Sequence, residues 1–176
     1  MAYKRILTIQ DISCVGQCSM TVALPIFSAC GHETCILPTA VLSTHTGGFG
    51  KPVVQHLNVD DMWRHWREQG ICFDAILVGY LGSVAAIEMV SQILDEMLAP
   101  GGISIVDPAM ADHGKLYSGF DDAYAKAMSS LCEKADIMLP NITEAAMMAG
   151  MDYRTVFDEA YVRELLNRLR GRNVVL

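Results

Sequence analysis

The chain has 176 residues, 52% of them hydrophobic and 19% charged, with a formal net charge of −7. That is one domain's worth of chain, with enough apolar material for a sizeable core. The negative balance argues against nonspecific binding to nucleic acid or anionic membranes, both of which require a basic face.

Arg5 to Gln10 is a short β-rich run, followed by a loop from Asp11 through Gly16. The pattern predicts a helix from Cys18 to Ala29 that stops at Gly31, then a strand over 34–38. Residues 43–52 are too rich in Gly and Pro for regular structure and read as a loop. Asp60-Asp61 starts a helix that runs to Gln69 and ends at Gly70. Ala75 to Gly79 is a continuous apolar strand suited to burial on both faces. From Ser83 to Leu98, Val84, Ile87, Val90, Leu94 and Met97 recur at helical spacing. A strand over 103–106, a helix from Asp121 to Glu133 and a strand over 136–139 follow. Thr143 is expected to cap a short helix ending at Gly150. A last helix, Asp158 to Arg170, carries the i,i+4 pairs Glu159/Arg163 and Glu164/Arg168. Asn173 to Leu176 reads as the opening of a further buried strand, so the chain is expected to be the first part of a longer protein. The alternation of strand and helix predicts a single α/β domain over residues 1–176, a mostly parallel sheet covered on both faces.

Six cysteines, with no Cys-x-x-Cys pair, sit mostly in apolar stretches and are expected to be buried free thiols. The start lacks the apolar core of a signal peptide, and no apolar run reaches the roughly 18 to 20 residues that span a bilayer. A cytoplasmic protein is expected.

The chemistry is expected where buried strands give way to loops, the edge at which open α/β sheets bind ligands. Asp107 follows four β-formers and precedes Pro108, which fixes an extended exit. Its carboxylate can orient a phosphate-bound Mg²⁺ or simply cap a turn. Asp112 suits a phosphate-side role or an ordinary turn. Glu144 lies in the first turn of a helix that opens at Pro140-Asn141-Ile142-Thr143, where it can serve a metal or a capping box. A phosphorylated ligand of so acidic a chain needs such a metal ion or a helix N-terminus. His45, Thr46, the Gly47-Gly48 hinge and Phe49 suit a lid over a small aromatic substrate, or a solvated loop. Tyr80 can stack on a flat ring or fill the core, and Asp11 and Ser13 end the first strand where ring substituents would arrive. Dinucleotide, P-loop, zinc and nucleophile-elbow motifs are absent from the sequence.

Ile9-Gln10-Asp11-Ile12-Ser13, Ser43-Thr44-His45-Thr46-Gly47, Gly79-Tyr80-Leu81-Gly82-Ser83, Asp107-Pro108-Ala109-Met110-Ala111-Asp112 and Pro140-Asn141-Ile142-Thr143-Glu144 occur in this order. Together they resemble the pyridoxal/pyridoxamine kinase branch of the ribokinase-like superfamily, over essentially the whole chain. The resemblance implies a three-layer αβα fold and ATP-dependent phosphorylation of the 5′-hydroxymethyl group of pyridoxal, pyridoxamine or pyridoxine. It implies substrate contacts from Asp11, Ser13, Thr46, Gly47 and Tyr80. Asp107, Asp112, Asn141 and Glu144 would serve ATP, with Asp107 and Glu144 nearest Mg²⁺. It also implies a homodimer and admits a monovalent cation.

Three departures stand out. Asp11 replaces the family's usual Ser, and Ala111 replaces a Gly whose backbone favours φ > 0. The Gly-x-Gly-Asp turn that supplies the anion hole and the catalytic base is not found among the 176 residues. No residue of this chain is therefore assigned as the catalytic base, and these residues alone are expected to be inactive. The rivals are a hydroxymethylpyrimidine kinase of the same superfamily and a module that binds pyridoxal or a nucleotide without turnover.

Overall fold

Strands built of unbroken apolar runs need cover on both faces. The computed structural model describes residues 3–169 and 173–176. The elements run β1 (Arg5–Ser13), α1 (Met20–Ala29), β2 (Glu33–Leu42), β3 (Val54–His56), α2 (Asp60–Glu68), β4 (Phe73–Val78), α3 (Val84–Met97) and β5 (Leu98–Val106). They continue with β6 (Ala111–Asp112), β7 (Lys115–Leu116), α4 (Asp122–Lys134), β8 (Ile137–Met138), α5 (Ile142–Ala149) and α6 (Glu159–Arg168). The main sheet has the order β3-β2-β1-β4-β5-β8, and β6 and β7 pair separately. All neighbours in the main sheet are parallel except β3, which runs antiparallel to β2.

The chain steps from β1 outward to β2, then returns past β1 to β4. Right-handed crossovers made in opposite directions place their helices on opposite faces and open a crevice between β1 and β4. On one face, Trp63 of α2, Ile87, Val90 and Ile93 of α3, and Met128 and Leu131 of α4 pack with the inward residues of the sheet. On the other, α1 lies against β1 and β2 with Met20 as its buried residue. Val22, Leu24 and Ile26 of that helix are 37%, 38% and 54% exposed. Side chains cap four helices: Ser83 accepts from Ala86 N, Asp121 from Tyr124 N, Asn141 from Glu144 N and Asp158 from Tyr161 N.

The expected α/β class, three layers and mostly parallel sheet are observed, as are both i,i+4 ion pairs on α6. Several expectations need correction. β1 continues to Ser13, so Asp11 and Ser13 belong to a strand and not to a loop. The ladder with β2 reaches that far because β2 itself extends to Leu42. β3 and the β6–β7 pair are too short to give a periodic signal. Asn141, not Thr143, caps α5, and the Thr143 hydroxyl instead accepts from Gly114 N at 3.1 Å. The left-handed backbone near Ala111 falls on Ala109 (φ 38°) and His113 (φ 50°). All six cysteines are free, but Cys14, Cys18, Cys30 and Cys72 are exposed, because the segments that carry them cross the surface; Cys132 is buried. Val174 forms a parallel bridge to Met138, next to β8, where a further strand is expected. The expected end of the last helix, Arg170, lies outside the described residues.

Candidate active site

The site begins where β5 stops. Asp107 N still bonds to Val78 O at 2.9 Å, so the strand ladder fixes this backbone before the chain turns at Pro108. Ala109 then adopts its left-handed conformation, and its N–H donates to Asp107 Oδ1 at 3.1 Å. The turn aims the next two amides, Met110 N and Ala111 N, at Glu144 Oε1, at 2.8 and 3.3 Å. Glu144 Oε2 accepts from Asn141 N at 2.9 Å, while Asn141 Oδ1 accepts from Glu144 N at 3.0 Å. This reciprocal capping box is extended by Asn141 Nδ2, which donates to Ala111 O at 2.8 Å. Glu144, 1% exposed, thus joins the connection after β5 to the one after β8. Burial pushes its carboxyl above the usual range, three amides pull it back, and the Asp107 charge raises it again; the net direction is up. Burial likewise raises Asp107, against the opposing bond from Ala109 N.

Asp107, Asn141 and Glu144 open on a cleft of about 680 Å³ at the carboxyl edge of the sheet, shared with Gln10, Tyr80 and Tyr117. Apolar residues of α1, among them Val22 and Ile26, wall its other side. Gly79 permits the close approach of β1 and β4 here, since a Cβ on it would meet Gln10 Oε1 at 2.7 Å. Tyr80 stacks on Phe120 at 5.6 Å between ring centroids, and Phe120 on Tyr124 at 3.7 Å, so its ring is braced from the core. Sequence reasoning gave no role to Gln10 or Tyr117. Gln10 was visible as a polar residue inside a buried strand. The Tyr117 phenol is pushed up to about 12, first by burial and then by the charges of Glu144, Asp112 and Asp107. It therefore stays protonated and can donate to a ligand oxygen.

The other expected residues gather less tightly. Asp11 (3% exposed) and Ser13 (3% exposed) are bonded to each other, Ser13 Oγ donating to Asp11 Oδ2 at 3.0 Å. Asp11 also raises the neighbouring Tyr80 phenol, after the larger effect of burial. Thr46 and Gly47 lie exposed in the 43–52 loop and are not among the cleft walls. That loop is tethered: His45 N bonds to Val15 O at 3.0 Å, and Gly47 N donates to His45 Nδ1 at 2.9 Å. Phe49 meets His45 edge-on at 5.0 Å. Asp112 is exposed at the β6–β7 pair, where Oδ1 accepts from His113 N at 2.7 Å, and it too stands outside the cleft walls.

Residues 24–176 match the family model described as phosphomethylpyrimidine kinase. Pyridoxal kinase PdxY of Rubrobacter xylanophilus is 27% identical over 158 residues, 86% of this chain and 54% of that protein. The crystal structure of pyridoxal kinase from Lactobacillus plantarum superposes with a TM-score of 0.87 at 37% identity, covering 99% of this chain and 64% of that one. A Bacteroides thetaiotaomicron structure, described as a candidate phosphomethylpyrimidine kinase in a form with pyridoxal, also gives 0.87 at 35% identity, covering 97% and 60%. The chain thus spans between about half and two thirds of the length of these relatives. The fold is that of the ribokinase-like kinases, as the ordered motifs imply. With the family model running from the first helix to the last residue, this chain belongs to the phosphomethylpyrimidine kinase family.

Proposed function

We propose that this chain provides the substrate cleft and the nucleotide-side carboxylates of an ATP-dependent kinase for the 5′-hydroxymethyl group of pyridoxal, pyridoxamine or pyridoxine. The observation that carries this reading is the meeting of Asp107, Asn141 and Glu144, from two separate crossovers, on one cleft with Tyr80. Phosphoryl transfer depends mainly on positioning and on charge stabilisation, and a rigid acidic rim beside an aromatic wall serves both. Tyr80 would stack on the substrate ring, Asp11 and Ser13 would meet its polar edge, and Thr46 and Gly47 would close over it. Asn141, Asp112 and the Tyr117 hydroxyl would attend the phosphates.

The donor set fits Mg²⁺ in one particular way. Among the described residues no three His, Cys, Asp or Glu side chains form a metal cage. Mg²⁺ commonly keeps several waters and takes only one or two carboxylates plus substrate phosphates. Asp107 has an oxygen left for such an ion, whereas both Glu144 oxygens already accept amide bonds, so Glu144 would act through water. When bound, the ion would neutralise charge on the transferring phosphoryl group. The Gly-x-Gly-Asp turn does not occur in these residues, and we infer that they do not turn over by themselves. Among the described residues, no helix is long and apolar enough to cross a membrane. A cytoplasmic homodimer is the setting we propose, and a monovalent cation is part of the same reading.

The family model's own description favours a second reading, a hydroxymethylpyrimidine kinase. ADP release with pyridoxal and with hydroxymethylpyrimidine separates the two, measured on this chain and on a form extended to the length of its relatives. Turnover of pyridoxal by the extended form supports the proposal. Turnover of the pyrimidine alone rejects it, and pyridoxal binding without ADP release leaves a non-catalytic module.

A further inference from the structure

We propose that Phe120, which stands outside the cleft walls, is a positioning residue for both ligands of the site: it holds Tyr80 on the ring side and Tyr117 on the phosphate side in one aromatic stack. This rests on the kinase reading above and deepens it by naming what aims the two tyrosines. Both line the cleft but come from different segments, Tyr80 from the exit of β4 and Tyr117 from the residue after β7. Their backbones are pinned locally. The Thr39 hydroxyl donates to Tyr80 O at 2.9 Å, and Tyr117 N donates to Met110 O at 2.9 Å. Such anchors leave the direction of each ring to its own contacts. Both rings meet Phe120, Tyr80 at 5.6 Å between centroids and 29° between planes, Tyr117 at 6.4 Å and 43°. Aromatic pairs at these separations attract beyond the area they bury. Phe120 is itself fixed from the core. It stacks on Tyr124 at 3.7 Å and 7°, and Tyr124 is 2% exposed in the first turn of α4. Asp121 caps that turn by accepting from Tyr124 N at 2.9 Å, and Phe120 N donates to Tyr117 O at 3.1 Å. An apolar contact made across a helix cap fixes the angle at which the chain enters. A flat ring stacked on Tyr80 and a phosphate bonded to the Tyr117 hydroxyl therefore depend on one side chain that walls neither place. Leucine at 120 would keep apolar bulk but offer no flat face, so both tyrosines would lose their guide together.

The test measures binding of pyridoxal and of magnesium AMP-PCP by calorimetry on this chain. Phe120→Leu should weaken each by about threefold to tenfold, the range for one lost aromatic pair, and Phe120→Tyr should bind both as the wild type does. In a Tyr80→Ala background Phe120→Leu should cost no further pyridoxal affinity, because that loss passes through Tyr80. In a Tyr117→Phe background it should cost no further nucleotide affinity, for the same reason. Additive losses, a loss confined to one ligand, or wild-type affinities in Phe120→Leu overturn the inference and leave the kinase reading intact. If the wild type binds neither ligand, both fall. Phe120→Met is the second variant against simple unfolding. Loss of the native circular-dichroism spectrum in both it and Phe120→Leu assigns Phe120 to folding alone and also overturns the proposal.

Discussion

Asp107 and Glu144 share a cleft, yet their surroundings divide the work between them. Asp107 has one amide donor and faces the opening, so its charge is available to a ligand; Glu144 is spent on three backbone amides. Asp107→Asn should therefore weaken binding of a magnesium nucleotide by about tenfold or more, with little change in the urea midpoint. Glu144→Gln should do the reverse. Its amide nitrogen must face either Asn141 N–H or the Met110 and Ala111 N–H pair, which sets donor against donor and costs roughly 2–3 kcal/mol in urea unfolding. The pH dependence follows from the directions of the shifts. Desolvation in the cleft holds the Asp107 carboxyl above the usual range in the free protein, and a cation favours its ionised form. Magnesium-nucleotide affinity, followed by titration calorimetry, is thus constant above the raised value of Asp107 and falls as pH drops through it. The fall begins at higher pH than the ordinary carboxylate value of about 4 would give.

At the scale of elements, the capping box of α5 is also the clasp of the site. Asn141→Ala removes the cap and the bond to Ala111 O together, so the loss should exceed the roughly 1 kcal/mol of an ordinary cap. Equilibrium unfolding measures it. Gly16 makes the matching contact for the 43–52 loop, which is proposed to close over the substrate. Its φ is 81°, and an added Cβ would lie 1.9 Å from His45 Cδ2. Gly16→Ala should displace His45 and lower affinity for the aromatic substrate while leaving nucleotide binding unchanged, a difference that parallel titrations would show. Much of this was readable beforehand. Asp107, Asn141 and Glu144 stood out because each follows an apolar strand, and the edge of an α/β sheet gathers what its strands deliver. Their division of labour was hidden, because the partners of Glu144 are the amides of Met110 and Ala111, and an amide has no sequence signature. Tyr117 has no sequence signal for a related reason: it directly follows the β6–β7 pair, whose two residues per strand are too few for any period.

Across the whole molecule, the sheet order places the crevice between β1 and β4, and the chain's own alternation of strand and helix was sufficient to predict the class. The antiparallel β3 was the exception, following a loop whose Gly and Pro content masked the three residues that pair with β2. The exposed cysteines mark a second limit. Apolar neighbours in sequence predict burial only when the segment is covered, and α1 with its flanks is largely uncovered.

That uncovered helix has a practical consequence for this chain in solution. Val22 and Ile26, one turn apart, are exposed in the apolar wall of the cleft, and Leu24 is exposed elsewhere on the same helix. With a net charge of −7, copies repel one another at low ionic strength, and salt removes the repulsion without weakening apolar contact. Sedimentation velocity should show self-association that strengthens with added sulfate, and Ile26→Lys should abolish it; association that instead weakens with salt would point to charged contacts elsewhere. Dilute, low-salt buffer is the condition in which single copies of this chain can be studied.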